Sequence, residues 1–580
     1  MRSTSPATGL FLVAVAGAAC AQTPPTAGSL LRQQQEAAPR RIDQLTGREP
    51  SPPLRPPLVQ DSGVRVKLQS VRFTGLAGIA TEAELAPLVQ DAIGKELSAA
   101  QLLQLADQVT EYLKSKGWFL ARAYLPVQDI TAGQLEIAIV AGRLDVGMDG
   151  IVVAGDPPRL SATRIRKTLG LALLEGGEGP LHAGELERGL LLLGEMPGVS
   201  AKSILERGRQ SDSTRLTVEV TEGGLLTGSN VVADNYGSRY TGTDRVTAQA
   251  RLNDPSGQGD SAGLGVSKSS GLTQLSATYG IPIGYRGLSL ATNAGLLHYS
   301  LGKELAPLDL TGRALTAGAS LLYPFVLGPR GNLRASAAYD LKALRDDDHG
   351  TSLHDKQLTT LTLAASGDRI DEVLAGGADS YGAALVFGHA DLSRVPADVA
   401  SDALGPHVAG NYTKWTWTAS RLQRIDGPYS VFASASGQGA RNNLDASEKF
   451  ILGGNTGVRA YAGGEAAGDA GWLARVEARY DKPLSDTLGV LQALVFLDAG
   501  HITLNKQVWG PAAVTTATGR NDYSLAGWGV GVNLAATGTY AVQLAWARAI
   551  GTNPGRSAAG FDSEGRSGRQ RVLLQAAVYF

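Results

Sequence analysis

The spacing of hydrophobic positions changes once along the chain. Leu102, Leu105, Ala106, Val109 and Leu113 recur at helical intervals behind Ser98 and Gln101, an S-x-x-Q capping box. Lys114 and Lys116 lie at the negative end of that predicted helix, and Gly117 supplies a left-handed stop. Ahead of it, Val66, Leu68, Val71 and Phe73 predict a strand and Thr81–Gly94 a short helix. Behind it, WFLARAYL (118–125) and QLEIAIVAG (134–142) predict two strands, the second turning Leu135, Ile137 and Ile139 inward. The order β-α-α-β-β returns over 149–222. IVVAG (151–155) precedes helical stretches near 161–171 and 183–194, then VSAKSILERG and TRLTVEVTEG, where Leu216, Val218 and Val220 alternate with polar residues. A module of roughly 75–85 residues is duplicated.

From Gly224 the helical period gives way to alternation. Leu491, Ala493, Val495 and Leu497 share one face; Gln492, Leu494, Phe496 and Asp498 share the other. Trp472, Ala474, Val476, Ala478 and Tyr480 oppose Leu473, Arg475, Glu477, Arg479 and Asp481. Val572, Leu574, Ala576, Val578 and Phe580 oppose Arg571, Leu573, Gln575, Ala577 and Tyr579. Charges keep to one face. Alternation alone also fits a soluble sandwich, but so long a stretch, behind an export signal and closing on an aromatic, predicts a membrane barrel. At roughly 22 residues per strand and connector it holds about 16 strands.

Composition narrows the alternatives. Charge is balanced, 53 Lys and Arg against 54 Asp and Glu, which excludes a strongly basic nucleic-acid binder and an acidic disordered chain. Seventy-three glycines among 580 residues suit turns and curved strands. LFLVAVAGAACA (10–21) is too short to span a bilayer and ends in Ala19-Cys20-Ala21, so residues 1–21 are expected to be a signal peptide. The sole cysteine, Cys20, leaves with it; a lipoprotein would retain it, but Gly17 stands where an aliphatic residue is usual. AGSLLRQQQEA (27–37) has helix-forming composition, and the prolines of REPSPPLRPPL (48–58) make an extended tether.

Enzymatic motifs are weak. His349 and His354 flank GTSL beside Asp346–Asp348, which reads as a solvated loop rather than a metal site. GWGVG (527–531) precedes no helix that could hold a pyrophosphate, so barrel curvature and close strand packing account for it. Neither a Walker A pattern nor a G-x-S-x-G elbow occurs. No catalytic residue, cofactor or metal is expected.

AGSLLRQ, GWFLARAYLPVQDITAGQLEIAIVAGRL (117–144), EMPGV (195–199), DNYGSRYTGTDR (234–245), NDPSGQGD (253–260), YGIPIGYRGL (279–288), LYPFVLGPRGNL (322–333) and LDASEKFILGGNTGVRAYAGGEAAGDAGW (444–472) stand in a family order. Together they resemble the outer-membrane transporters of two-partner secretion, the ShlB/FhaC/HecB type within the BamA-like superfamily. The resemblance implies a 16-stranded antiparallel transmembrane β-barrel (224–580) behind a signal peptide (1–21), an N-terminal plug helix (22–48), a proline-rich linker (49–62) and two periplasmic POTRA domains (63–147 and 148–223). It implies that Val458, Arg459 and Tyr461 of VRAY form the tip of an inward loop, and that Arg459 meets Asp498 of FLDAG (Phe496, Asp498, Gly500). Asp498 lies on the face opposite the Leu/Val stripe, so it points into the lumen independently of the family. Ala460 replaces the family's glycine, which would strain a tip requiring positive φ. Phe580 is the expected barrel insertion signal, read by the barrel assembly machinery. Lumen charges such as Arg475, Glu477 and Arg479 are expected to keep a passage hydrated. The expected partner is an exported exoprotein bound by the POTRA domains and passed through the lumen, without ATP. Outer-membrane lipid surrounds the barrel and no nucleic acid is involved. A BamA-like insertase and a barrel surface hydrolase are the alternatives.

Overall fold

Ser98 opens its helix as the S-x-x-Q spacing requires. In this computed structural model Gln101 N donates to Ser98 Oγ (3.4 Å) and Ser98 N to Gln101 Oε1 (2.8 Å). The helix runs Ala99–Ser115, and Gly117 leaves it at φ +93°. The structure describes residues 24–37, 65–76, 78–145, 150–155, 159–173, 180–209, 213–510, 513–514 and 516–580. The expected signal peptide (1–21) and proline-rich linker (49–62) lie outside the described residues.

In the first unit Leu102, Leu105, Ala106, Val109 and Leu113 pack on Leu135, Ile137 and Ile139 of the strand Gln134–Val140. That strand pairs parallel with Ser70–Thr74 and antiparallel with Arg122–Tyr124. Two expected strands are shorter than their apolar runs. The run over 66–73 splits, because Leu68 N turns to Lys95 O (3.0 Å) and Gln69 N to Gly133 O (2.7 Å), leaving Arg65–Lys67 to pair with Glu96–Ser98. The run 118–125 keeps only its last residues, since Ala121 N closes a turn on Trp118 O (3.0 Å).

The second unit repeats the order: a strand Ile151–Ala154, helices Ala162–Leu173 and Ala183–Gly194, then strands Val199–Arg207 and Ser213–Glu222. Ser213–Glu222 is central and buries Leu216, Val218 and Val220. Val199–Arg207 pairs along one of its sides, Ile151–Ala154 along the other, and Arg143–Leu144 pairs with its first residues. The second sheet therefore reaches back into the stretch expected to close the first unit. Val199–Arg207 has no partner on its outer side among the described residues.

Beyond these units, sixteen strands pair antiparallel with their sequence neighbours and close into a barrel. They are β1 (Asn230–Asp234), β2 (Arg245–Asn253), β3 (Ser261–Lys268), β4 (Leu272–Pro282), β5 (Ser289–Ser300), β6 (Leu310–Leu327), β7 (Gly331–Asp348) and β8 (Thr351–Asp371). The second half comprises β9 (Gly377–Asp391), β10 (Gly410–Asp426), β11 (Tyr429–Ala440), β12 (Ala470–Ser485), β13 (Gly489–Thr503), β14 (Asp522–Ala536), β15 (Tyr540–Ile550) and β16 (Gln570–Tyr579). Val572, Leu574, Val578 and Phe580 stay exposed on the outer face of β16, as the alternation predicts. Closure pairs Asn230–Asp234 with Gln575–Tyr579, and Phe580 finishes it by donating N–H to Ser229 O (2.9 Å) and accepting from Gly228 N (2.8 Å). No described helix is long and apolar enough to cross a membrane; the crossing elements are strands.

Leu113→Ala removes a side chain with no exposure at the centre of the first unit's core. It should cost about 2–5 kcal/mol there. Calorimetry of the detergent-solubilised chain should show the periplasmic transition moving down while the barrel transition stays in place.

Candidate functional site inside the barrel

Residues 441–469, between β11 and β12, turn back into the barrel. A short pairing of Phe450–Ile451 with Ala467–Gly468 forms the neck of this loop, and Val458 N donates to Leu452 O (2.7 Å) to fold its tip. The tip carries Arg459 to the wall. Its Nε and Nη2 donate to the two oxygens of Asp498 (2.9 and 2.7 Å), its backbone N–H also reaches Asp498 (3.1 Å), and Nη1 donates to Glu477 (2.8 Å). The guanidinium lies 3.5 Å from the centre of the Phe496 ring. Asp498 has no exposure and Arg459 only 7%, so this bidentate pair is largely withdrawn from water.

Glycines on the wall leave room for the tip. A Cβ on Gly527 would come within 2.7 Å of Ala460 Cβ; one on Gly529 would meet the Phe496 ring at 2.4 Å; one on Gly500 would strike Leu452 at 2.3 Å. The GWGVG glycines thus do more than curve β14: they form the flat surface on which VRAY and Phe496 lie. Tyr461 completes the contact, its hydroxyl donating to Ala526 O (3.3 Å). Ala460 lies outside the left-handed region, so the anticipated strain is absent; within the loop it is Ala466 that takes φ +58°.

Arg475, Glu477 and Arg479 do not line an open passage, contrary to expectation. Arg479 donates twice to Glu477 (2.9 and 2.7 Å), and Arg475 reaches Thr456 O (3.3 Å) with its guanidinium 3.6 Å from both Asp498 and Glu477. Arg475 and Glu477 touch the loop directly, and Arg479 braces Glu477 from the wall.

The N-terminal helix, Ala27–Ala37, also lies in the lumen, where Ala27, Leu30 and Leu31 pack against Leu297, Tyr299, Leu344 and Leu358. Ala27 N donates to Asp346 Oδ1 (2.7 Å), which also accepts from Tyr299 (2.6 Å). Arg32 Nε donates to Lys449 O (3.1 Å), and Arg245, itself paired with Asp234 (3.0 Å), donates to Gln34 (2.6 Å). Over the helix, Tyr240 and Leu305 cap the cluster from two outer connections, joined by Arg239 and Glu304 at 2.5 Å. The bond from Arg239 holds the Glu304 carboxyl down at about 2. Sequence reading missed a second ion cluster beneath the helix. Glu448 lies between Lys342 (2.6 Å) and Lys414 (2.7 Å), and Asp445 pairs with Lys356 (3.2 Å). The only signal in the sequence was lysine on β7, β8 and β10 at positions facing the lumen.

Other motif residues seat the second unit on the barrel. Arg164 donates to Gly284 O (3.0 Å) and Gln258 (3.2 Å) and stacks on Tyr285, while Arg334 pairs with Glu195 (2.9 Å). NDPSGQGD, YGIPIGYRGL, LYPFVLGPRGNL and EMPGV all contribute to this joint. His349 and His354 bond to Asp348 and Asp398 (both 2.5 Å), not to one another's surroundings.

A closed barrel that buries ion clusters in its lumen, with two α+β units at one end and a helix and loop inside, has the architecture of an outer-membrane transport barrel. Comparison with known proteins gives the family: residues 212–534 match the model for haemolysin secretion/activation protein ShlB/FhaC/HecB, and residues 66–142 the ShlB-type POTRA domain. The chain belongs to that family, and it is an outer-membrane transporter of two-partner secretion with POTRA domains in the periplasm. The heme/hemopexin transporter protein HuxB of Haemophilus influenzae (strain 86-028NP) is 26% identical over 474 residues, 81% of each chain. The outer membrane transporter CdiB of Dickeya dadantii is 23% identical over 437 residues, 72% of this chain and 75% of its own. The solved structure of CdiB from Escherichia coli superposes with a TM-score of 0.72 at 18% identity, covering 96% of this chain and all of that one.

Both Arg459→Ala and Gly527→Val should detach the tip, the first by stranding two carboxylates and the second by occupying the space of Ala460. Amide exchange over 453–463 should rise roughly tenfold or more in each variant, with β12–β14 still protected. Unchanged exchange at the tip would show that these contacts do not hold it.

Proposed function

We propose that the periplasmic units capture an unfolded exoprotein and hand it to a lumen from which the plug helix has withdrawn. The client is of the adhesin, haemolysin or toxin type, crosses extended, and draws direction from folding outside rather than from ATP. One observation carries this reading: the described barrel holds two inserts, the helix and the loop, attached by contacts that can break without opening the wall.

Capture is assigned to the unpaired edge of Val199–Arg207, where a client strand can add to the sheet. Ile204 and Leu205 are exposed at the end of that edge. The passage follows from register. Lys342 faces the lumen, and the residues opposite it round the wall are Thr316, Gly295, Ser276, Gly265 and Gln249. These small or uncharged polar groups keep water at the wall without offering a peptide apolar surface or fixed charge. Val458, Arg459 and Tyr461 with Phe496, Asp498 and Gly500 act as the latch of the loop, and Phe580 acts as the insertion signal for the assembly machinery. A surface hydrolase has no support in this geometry. An insertase shares the architecture but serves many barrels.

Disrupting the gene should leave one exoprotein in the periplasm while other outer-membrane barrels keep their abundance. Normal surface delivery of that exoprotein would refute the reading, and a general loss of barrels would favour the insertase.

A further inference from the structure

The loop is tied at two places of opposite polarity. At the tip the loop supplies the cation and the wall the carboxylates, Asp498 and Glu477. At the base the loop supplies the carboxylates, Asp445 and Glu448, and the wall the cations, Lys342, Lys356 and Lys414. The helix rests on the base. Gly28 lies so close to the turn at 445–447 that a Cβ there would stand 3.1 Å from Ser447 N and 3.2 Å from Asp445 Oδ1. Asp445 Oδ1 shapes that turn by accepting from Ser447 N (2.9 Å) and Ser447 Oγ (2.8 Å). Lys414 and Gln438 bind Glu448 O (2.9 and 3.0 Å), and Lys449 pairs with Asp469 (2.8 Å) while its carbonyl receives Arg32. On the other side of the loop, Gln33 lies beside Gly464.

We propose that the Glu448 cluster is the dock of the plug helix, and that helix residence is set there rather than at the Arg459 latch. The inference rests on the transport reading, since withdrawal of the helix matters only if the lumen must clear. Its logic is electrostatic: neutralising Glu448 leaves Lys342 and Lys414 facing one another in a buried site, and the turn that seats Gly28 loses the two ion pairs beside it. Glu448 and its lysines are positioning residues.

The test uses the full chain in outer membranes, with Ala27→Cys, a fully buried helix position away from the tip, labelled by a membrane-impermeant maleimide. Glu448→Gln should raise the labelling rate roughly tenfold or more, whereas Arg459→Ala should leave it within about twofold of the parent. Heat-modifiable migration confirms that each barrel is folded, which a merely structural loss would change instead. Should Glu448→Gln not accumulate folded, Lys342→Met, which removes one of its two cations, decides the question by the same readout. Parent-like labelling in the folded base variant, or an equal rise in Arg459→Ala, overturns the proposal. Neither outcome bears on export as such: failure of transport would show as exoprotein trapped in the periplasm, independently of labelling.

Discussion

A guanidinium buried inside a barrel must meet its counter-charges or not enter at all, and the rest of the lumen is arranged around that demand. Arg459 is presented by the tip of a loop whose base is held separately by Asp445 and Glu448; its partners, Asp498 and Glu477, stand on adjacent strands and would be costly to bury without it. Phe496 roofs the pair with its ring, and Gly527 and Gly529 remove the side chains that would hold the tip away. Arg475 and Arg479 complete a group of three guanidiniums around the two carboxylates.

The same logic places the helix. Its burial of Leu30 and Leu31 is modest for an element of eleven residues, so an independent helix of this length would not persist in water. It persists because Asp346, Lys449 O and Arg245 take up its polar ends and the 445–449 turn fits its Gly28. Two inserts in one barrel are therefore held by charges at separate points, while the register row from Gln249 to Thr316 carries none.

Much of this was legible in the chain. The change from a helical to an alternating period at Gly224 falls between the last strand of the second unit, which ends at Glu222, and β1, which begins at Asn230, and the face of Asp498 assigns it to the lumen without any relative. The VRAY and FLDAG motifs brought Arg459 and Asp498 together on paper as they are in space. What could not be read is what lies between distant strands. Lys342, Lys356 and Lys414 are isolated lysines in sequence and become a site only when β7, β8 and β10 curve round Glu448. Arg475, Glu477 and Arg479 looked like passage lining because alternation reports the face of a residue, not whether a loop covers it. The run at 118–125 promised a long strand, yet apolar residues serve equally well in the turn at Trp118. Ala460 looked like a defect because the φ of the tip is a tertiary property.

We propose that the Arg459 pairings, and not mere confinement, hold the tip of the loop against the wall. Spin labels at Asn455→Cys on the tip and Ser524→Cys on β14 report this directly through their distance distribution. The parent chain should give one narrow distance that broadens in Arg459→Ala. An equally narrow distribution in both would mean that the loop stays without its charge, and would contradict the account.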